Sequence, residues 1–200
     1  MKIKALYYPL VSLMIGLLLS SGVIIGEVQA AKKSVLKMGW PETPQNGLNV
    51  TGIKSGSEFA FAATLYEPLF IVQLKGGMVP WLGSGWRYDT AQDAWYIYLD
   101  KRAQWHDGMP VTAEDVKFTF ETAFKYDLTA GGSLKPYINS IVAVDKHTVR
   151  FNMKRKYANF LWGAAGTMII PKHIWSKVGD VTKFLNPNPI GSGPFKFKTF

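Results

Sequence analysis

From Ala5 to Ile25 the chain carries no charged residue, and it is preceded by the short basic start Met1-Lys2-Ile3-Lys4. A run of this kind either crosses a membrane or is removed, so it sets the limits of the folded body. Glu27 follows, then Val28-Gln29-Ala30, with Val28 and Ala30 at the third and first places before a cut. That is the layout of a secretory signal peptide, and it predicts a leader over residues 1–30. A retained anchor is the alternative, since roughly 20 apolar residues span a bilayer. Pro9, the Ser20-Ser21-Gly22 break and the Val28/Ala30 site favour cleavage, which places a mature start at Ala31.

The 200 residues contain no cysteine. This excludes a disulfide framework, a thiolate metal site, a cysteine nucleophile and a lipid-modified N-terminal cysteine. Charged residues make up 18% and hydrophobic ones 48%, which fits a globular chain and argues against disorder or a coiled coil. The formal net charge of +9 becomes +8 once Lys2, Lys4 and Glu27 leave with the leader. The remaining basic residues are scattered, and the densest group is Lys154-Arg155-Lys156. No basic helix or stripe of the kind that tracks nucleic acid is present, so this group reads as a solvated face. No later segment is apolar enough to span a membrane.

Ser34 to Trp40 reads as a first strand, closed by Pro41, and Pro41 to Lys54 is turn-rich. Ser55-Gly56-Ser57-Glu58 fits a capping box and predicts a helix of about ten residues, with Phe59, Ala62, Ala63 and Tyr66 on one face. Leu69 to Leu74 reads as a short strand before the Gly76-Gly77 turn. Trp95, Ile97 and Leu99 alternate with Tyr96, Tyr98 and Asp100, the period of a half-buried strand. Thr112 and Asp115 predict a second capped helix with Val116, Phe120, Ala123 and Phe124 as its buried stripe. Ile141 to Val144 and Thr148 to Met153 predict a hairpin. Ala158 to Met168 reads as an apolar helical segment, Pro171 to Trp175 as a short helix, and Phe195 to Lys198 as the start of another alternating strand. Half of that last strand asks for an apolar partner with no chain left to supply one, so residues 31–200 are expected to be the front part of a larger architecture.

Reactive machinery is not marked. No phosphate loop is present, since Gly191-Ser192-Gly193-Pro194 lacks the lysine and the following helix. No G-x-S-x-G elbow occurs. His106, His147 and His173 lack metal-ligand spacing and read as structural. The adjacent acids Glu114 and Asp115 suit a helix N-terminus better than acid–base work. A glycosidase pair of carboxylates meets only in space and stays open.

Taken in order, the motifs resemble one family. They are Leu65-Tyr66-Glu67-Pro68-Leu69-Phe70, Val79-Pro80-Trp81-Leu82, Gly85-Trp86, Trp105-His106-Asp107-Gly108, Val111 to Phe120, Val144-Asp145 with Thr148-Val149, Ile170 to Trp175, and Asn188 to Phe195. The series is similar to the extracellular solute-binding proteins of family 5, which serve peptide, nickel and oligosaccharide ABC importers. It runs from about Ser34 to the last residue. Ser192 stands where the family usually has threonine. Members are usually more than twice this long, and many carry a lipid-modified cysteine that this chain lacks.

The resemblance implies an α/β fold of the periplasmic binding protein-like II type, cluster C, here incomplete: the first lobe with its inserted subdomain only. Residues 31–51 and 186–200 would then belong to the first ligand-binding lobe, and residues 52–185 to the inserted α+β subdomain. Trp105 to Gly108 is expected to end a strand and turn it into the Thr112-capped helix. The resemblance also implies binding rather than catalysis, without a cofactor or metal. A small peptide or oligosaccharide would be the ligand, and an ABC permease in the membrane the partner. The protein would be a monomer, soluble in the periplasm, with no contact to nucleic acid. Nickel would need a histidine or carrier that cannot be placed.

In the family the loop before the first helix offers backbone groups to the ligand. Here that loop is Ile53, Lys54, Ser55, Gly56, Ser57 and Glu58. Trp40 is placed to stack on a sugar ring or peptide side chain, with core packing as its alternative. One lobe cannot enclose a solute, so residues 31–200 alone are expected to bind weakly or not at all. The alternative functions are an exported carbohydrate-active enzyme with paired carboxylates, or a non-transport sensor on the same fold.

Overall fold

A computed structural model describes residues 37, 39, 47–53 and 55–199. The leader, most of the expected first strand including Trp40, and Lys54 therefore lie outside the described residues. From Gly47 onward the described residues belong to one compact unit.

The two longer helices start from side-chain caps. Ser55 is extended, and its Oγ accepts from the Glu58 N–H at 3.1 Å, starting α1 (Gly56–Leu65). Ala62 and the following Tyr66 are buried as the spacing predicts, but Ala63 is only partly buried, Phe59 is 41% exposed, and Leu65, which the spacing did not single out, is buried. The inward stripe instead passes through the partly buried Phe61. A short strand, β1 (Phe70–Val72), pairs antiparallel with β2 (Met78–Pro80) across a turn in which Gly76 and Gly77 both take positive φ.

The main sheet follows. Its strands are β3 (Gly83–Asp89), β4 (Ala94–Leu99), β5 (Ile138–Asp145) and β6 (Thr148–Met153), antiparallel in the order β3-β4-β6-β5. The predicted alternation of β4 holds: Ile97 and Leu99 are buried and Tyr98 is exposed. The predicted hairpin is present as well, with β5 beginning three residues earlier, at Ile138. β3 is a strand that residue pattern does not announce. Its sequence begins Gly-Ser-Gly, and its register slips between Gly83 and Gly85. Gly83 is needed there, because a Cβ would stand 2.4 Å from the Phe70 ring.

Helix α2 (Ala113–Lys125) crosses one face of this sheet. Val116, Phe120, Val149 and Phe151 are fully buried between them, and Phe120 meets Phe151 edge-on at 5.1 Å. Helix α3 (Phe160–Ala165) closes the same core, with Phe160 stacked on Trp95 at 5.3 Å. Each such side chain contributes roughly 1.5–3 kcal/mol by leaving water. A second core gathers Leu48, Val50, Ala62, Leu65, Tyr66, Met168, Ile170, Trp175 and Val181. The short helix α4 (Lys172–Trp175) carries Trp175 into it.

Two expectations fail here. Phe195 to Lys198 is not a strand: residues 195–199 run without regular structure. The Phe195 N–H donates to Thr64 O at 3.0 Å while its side chain is 47% exposed, and Phe197 packs on the second core, so the alternating residues do not share one buried face. The Trp105 to Gly108 segment does not end a strand either. β4 stops at Leu99, and Trp105 opens a tight loop in which its N–H donates to Met109 O at 2.7 Å.

Candidate ligand-binding cleft and the motif junction beside it

Residues 47–53 form a short loop with a 3-10 turn over Val50–Gly52. Asn49 organises it from within: its Oδ1 accepts from the Thr51 N–H at 2.8 Å, and its Nδ2 donates to Val181 O at 2.7 Å. Leu48 N–H donates to Leu185 O at 3.0 Å. Gly47 permits this approach, with φ of +63° and only 2.5 Å between a would-be Cβ and Leu185 O. Asn186 completes the tie by donating from Nδ2 to Leu48 O at 2.9 Å and to the Tyr66 hydroxyl at 2.8 Å. Burial pushes the Tyr66 phenol up to about 12, against the lowering effect of Asn186 and Trp175.

Between this loop and α1 lies a narrow cleft with about 20 Å³ of enclosed space, room for a water molecule. Leu48, Val50, Ile53, Phe61 and Leu65 supply apolar walls, and Glu58 is the one charged residue of the lining among the described residues.

Of the residues singled out in the sequence, Ile53 and Glu58 line this cleft. Ser55 caps α1, and Gly56 and Ser57 form its first turn. Trp40 and Lys54 lie outside the described residues. Tyr66, Asn49 and Asn186 also shape the cleft, and sequence reasoning did not mark them as site residues. Their contacts join positions up to 138 residues apart, which no local pattern reports.

The motifs of the sequence meet at a second place, beside the first. Leu65 to Phe70 is a backbone hub. Leu65 O accepts from Gly193 N–H at 2.9 Å, Glu67 O from Ile169 at 3.1 Å, and Leu69 O from Gly83 at 2.8 Å. Gly191 and Gly193 are obligatory there, since Cβ atoms would stand 1.7 Å and 2.7 Å from the Leu65 backbone. His106 Nδ1 accepts from Gly191 N–H at 3.3 Å, and its Nε2 lies 2.8 Å from Gly193 O. Glu67 sits against this junction. Burial raises its carboxyl above the usual glutamate range, and Ser192, Trp81 and the nearby His106 draw it partly back. The Ser192 hydroxyl nevertheless closes no hydrogen bond of ordinary length and angle.

His173 Nε2 pairs with Asp107 Oδ2 at 2.8 Å, and Lys172 Nζ with Glu114 Oε2 at 2.6 Å. Asp115 caps α2 by accepting from the Thr112 N–H at 2.8 Å. Glu114 and Asp115 are thus taken up by an ion pair and a cap. Among the described residues no cluster of three metal-ligating side chains occurs, and no helix is long and apolar enough to cross a membrane.

Residues 77–200 match the profile of the bacterial extracellular solute-binding proteins, family 5, middle region. The chain is 36% identical over 123 residues to the probable D,D-dipeptide-binding periplasmic protein DdpA of Escherichia coli, covering 60% of this chain and 24% of that protein. It is 36% identical over 111 residues to the oligopeptide-binding protein AppA of Bacillus subtilis, covering 52% of this chain and 20% of AppA. The structure of AppA with a nonapeptide superposes on 76% of this chain and 31% of AppA, with a TM-score of 0.65 and 28% identity. The mannohexaose-bound oligopeptide-binding protein of Thermotoga maritima gives a TM-score of 0.64 at 30% identity, over 78% of this chain and 29% of that one. The chain therefore spans well under half the length of these relatives, and the expected mixed α/β binding-protein fold is the one it adopts in part. The chain belongs to the bacterial extracellular solute-binding proteins of family 5.

Proposed function

We propose that this chain belongs to the solute-binding component of an ABC importer, which captures oligopeptides outside the cytoplasmic membrane and delivers them to a membrane permease. The observation that carries the reading is the match of residues 77–200 to a family of solute-binding proteins, together with relatives named for peptide binding. The mechanism is binding without reaction: two lobes close around the solute, and the permease recognises the closed form. This chain supplies first-lobe segments at 31–51 and 186–200, with 52–185 as the inserted subdomain. Ile53 to Glu58 and Trp40 contact the ligand. The protein works as a monomer in the periplasm after residues 1–30 are cleaved.

Oligosaccharide is the second reading, and the mannohexaose bound to the Thermotoga relative favours it. Mass spectrometry of ligands that co-purify with the exported protein separates the two. Short peptides are expected. A ladder of hexose oligomers would overturn the peptide assignment, and hydrolysis of added oligosaccharide would overturn the binding-only mechanism.

A further inference from the structure

We propose that Lys154, Arg155, Lys156 and Trp162 form a contact surface for an anionic lipid bilayer. Between Asp127 and Asp180 the chain carries one acidic residue, Asp145, against eight Lys and Arg. Asp145 lies at the far end of the β5–β6 hairpin, where it pairs with Thr148, whereas Ile138 at the near end pairs with Met153, next to Lys154. Lys135 and Lys172, which do form ion pairs, reach Asp127 and Glu114 outside this stretch. Lys154, Arg155 and Lys156 are all exposed, and among the described residues none of them has an acidic partner.

The cluster stands on a fixed base. Lys154 N–H donates to Tyr137 O at 2.7 Å. The Arg155 guanidinium lies 4.6 Å from the centre of the Tyr137 ring, and Tyr137 stacks on Tyr157 at 3.8 Å. Both rings pack against the main core.

The chain then turns into α3, with Phe160 N–H donating to Tyr157 O and Gly163 N–H to Asn159 O, each at 3.1 Å. Phe160, Ala164 and Ala165 are buried. Ala158, Asn159 and Trp162, three and four positions apart, share the outer side, and Trp162 is 52% exposed. Cations alone would suit any acidic surface. The uncovered indole selects a bilayer, because amphipathic rings lodge at the headgroup level while Lys and Arg meet the phosphates. Such a contact would hold the exported protein at the membrane, and it does not depend on which solute is bound.

The test is cosedimentation of the exported protein with vesicles of phosphatidylcholine alone and of an equimolar mixture with phosphatidylglycerol, in about 0.1 M salt. The readout is the ratio of the two partition coefficients, in which apolar anchoring common to both cancels. A cation near an anionic surface is worth about a fivefold gain in partitioning, so K154Q/R155Q/K156Q is expected to lower the ratio about 100-fold. K154Q/K156Q, which keeps the Arg155–Tyr137 contact, lowers it about 25-fold. K75Q/K101Q/K198Q removes as much charge from exposed positions elsewhere and is expected to change it by no more than about twofold. W162A weakens binding to the mixed vesicles several-fold. Equal partitioning of the parent to both vesicles, an equal loss in K75Q/K101Q/K198Q, or undiminished binding of W162A would overturn the proposal.

Discussion

The backbone N–H of Lys172 donates to Asp115 Oδ1 across 2.9 Å, joining the start of α4 to the first turn of α2 over 57 residues. The other oxygen of the same carboxylate accepts from the Thr112 N–H and hydroxyl at 2.8 and 2.9 Å. One turn on, Thr119 Oγ1 accepts from the Ile170 N–H at 3.1 Å. Asp115 is thus both a cap and the clamp that seats the 170–175 segment, and it is only 4% exposed. D115A is expected to cost about 2–4 kcal/mol, the sum of a lost cap and an unpaired buried N–H. D115N, which keeps an acceptor, costs less. Urea unfolding of the two variants checks the order.

The crossover glycines make a sharper prediction. G191A would place a Cβ 1.7 Å from Leu65 O, a clash with backbone that no side-chain rotation relieves. It should destabilise by about 3 kcal/mol or more. G166A meets nothing within 4 Å and serves as the control, within about 0.5 kcal/mol of the parent. Thermal unfolding of both variants reads the contrast.

These contacts also mark the limit of what the sequence made visible. The caps at Ser55 and Thr112, the alternation of β4 and the β5–β6 hairpin were legible because each is encoded within a few residues. β3 was not, because its opening glycines carry no alternation. Phe195 to Lys198 misled because alternation alone does not say that a strand partner is present: Phe197 packs on the second core while Phe195 is left largely exposed. Phe59 misled because Phe61 takes the inward position. The family motifs were readable as a series, but their meeting at Leu65–Phe70 was not. His106 reaches its glycines across more than 80 residues. At the cleft, Ile53 and Glu58 were named from resemblance, whereas Tyr66 and Asn186 enter through long-range hydrogen bonds.

Glu67 gives a pH signature. A carboxyl whose pKa is raised by burial is more favourable in the fold when protonated, so stability falls as pH rises through the shifted value. E67Q is expected to be more stable than the parent at pH 7 and nearly equal to it near pH 4. A variant less stable at pH 7 would mean that the carboxylate charge itself holds the junction.

Asp107 has the opposite sign. Burial pushes its carboxyl up, but the hydrogen bonds from His173 and the Met109 N–H win and hold it below the usual aspartate range. The stability it contributes is present above that range and is lost as pH falls through the lowered value. D107N should flatten the stability profile between about pH 4 and pH 2, by no more than about 1 kcal/mol for so accessible a pair. Denaturant melts across that window measure it.

Tyr66 should resist ionisation. With its phenol pushed up to about 12, the stability it contributes is intact below pH 10 and is lost as pH rises from there toward 12. Y66F removes one partner of Asn186 and is expected to cost about 1–2 kcal/mol at pH 7. It should also remove the highest-pH step from an ultraviolet titration of the tyrosines.

Residues 31–200 expressed alone should bind a pentapeptide no more tightly than about 1 mM, since one lobe buries one side of a ligand. Calorimetry that returned a micromolar constant would show that residues 31–200 already hold a complete site.

The importer role is tested most directly by uptake of a labelled pentapeptide in cells with and without this gene. Loss of uptake on deletion, restored by the gene in trans, is the predicted result. Undiminished peptide uptake in the deletion strain, with no other binding protein induced in its place, would contradict it.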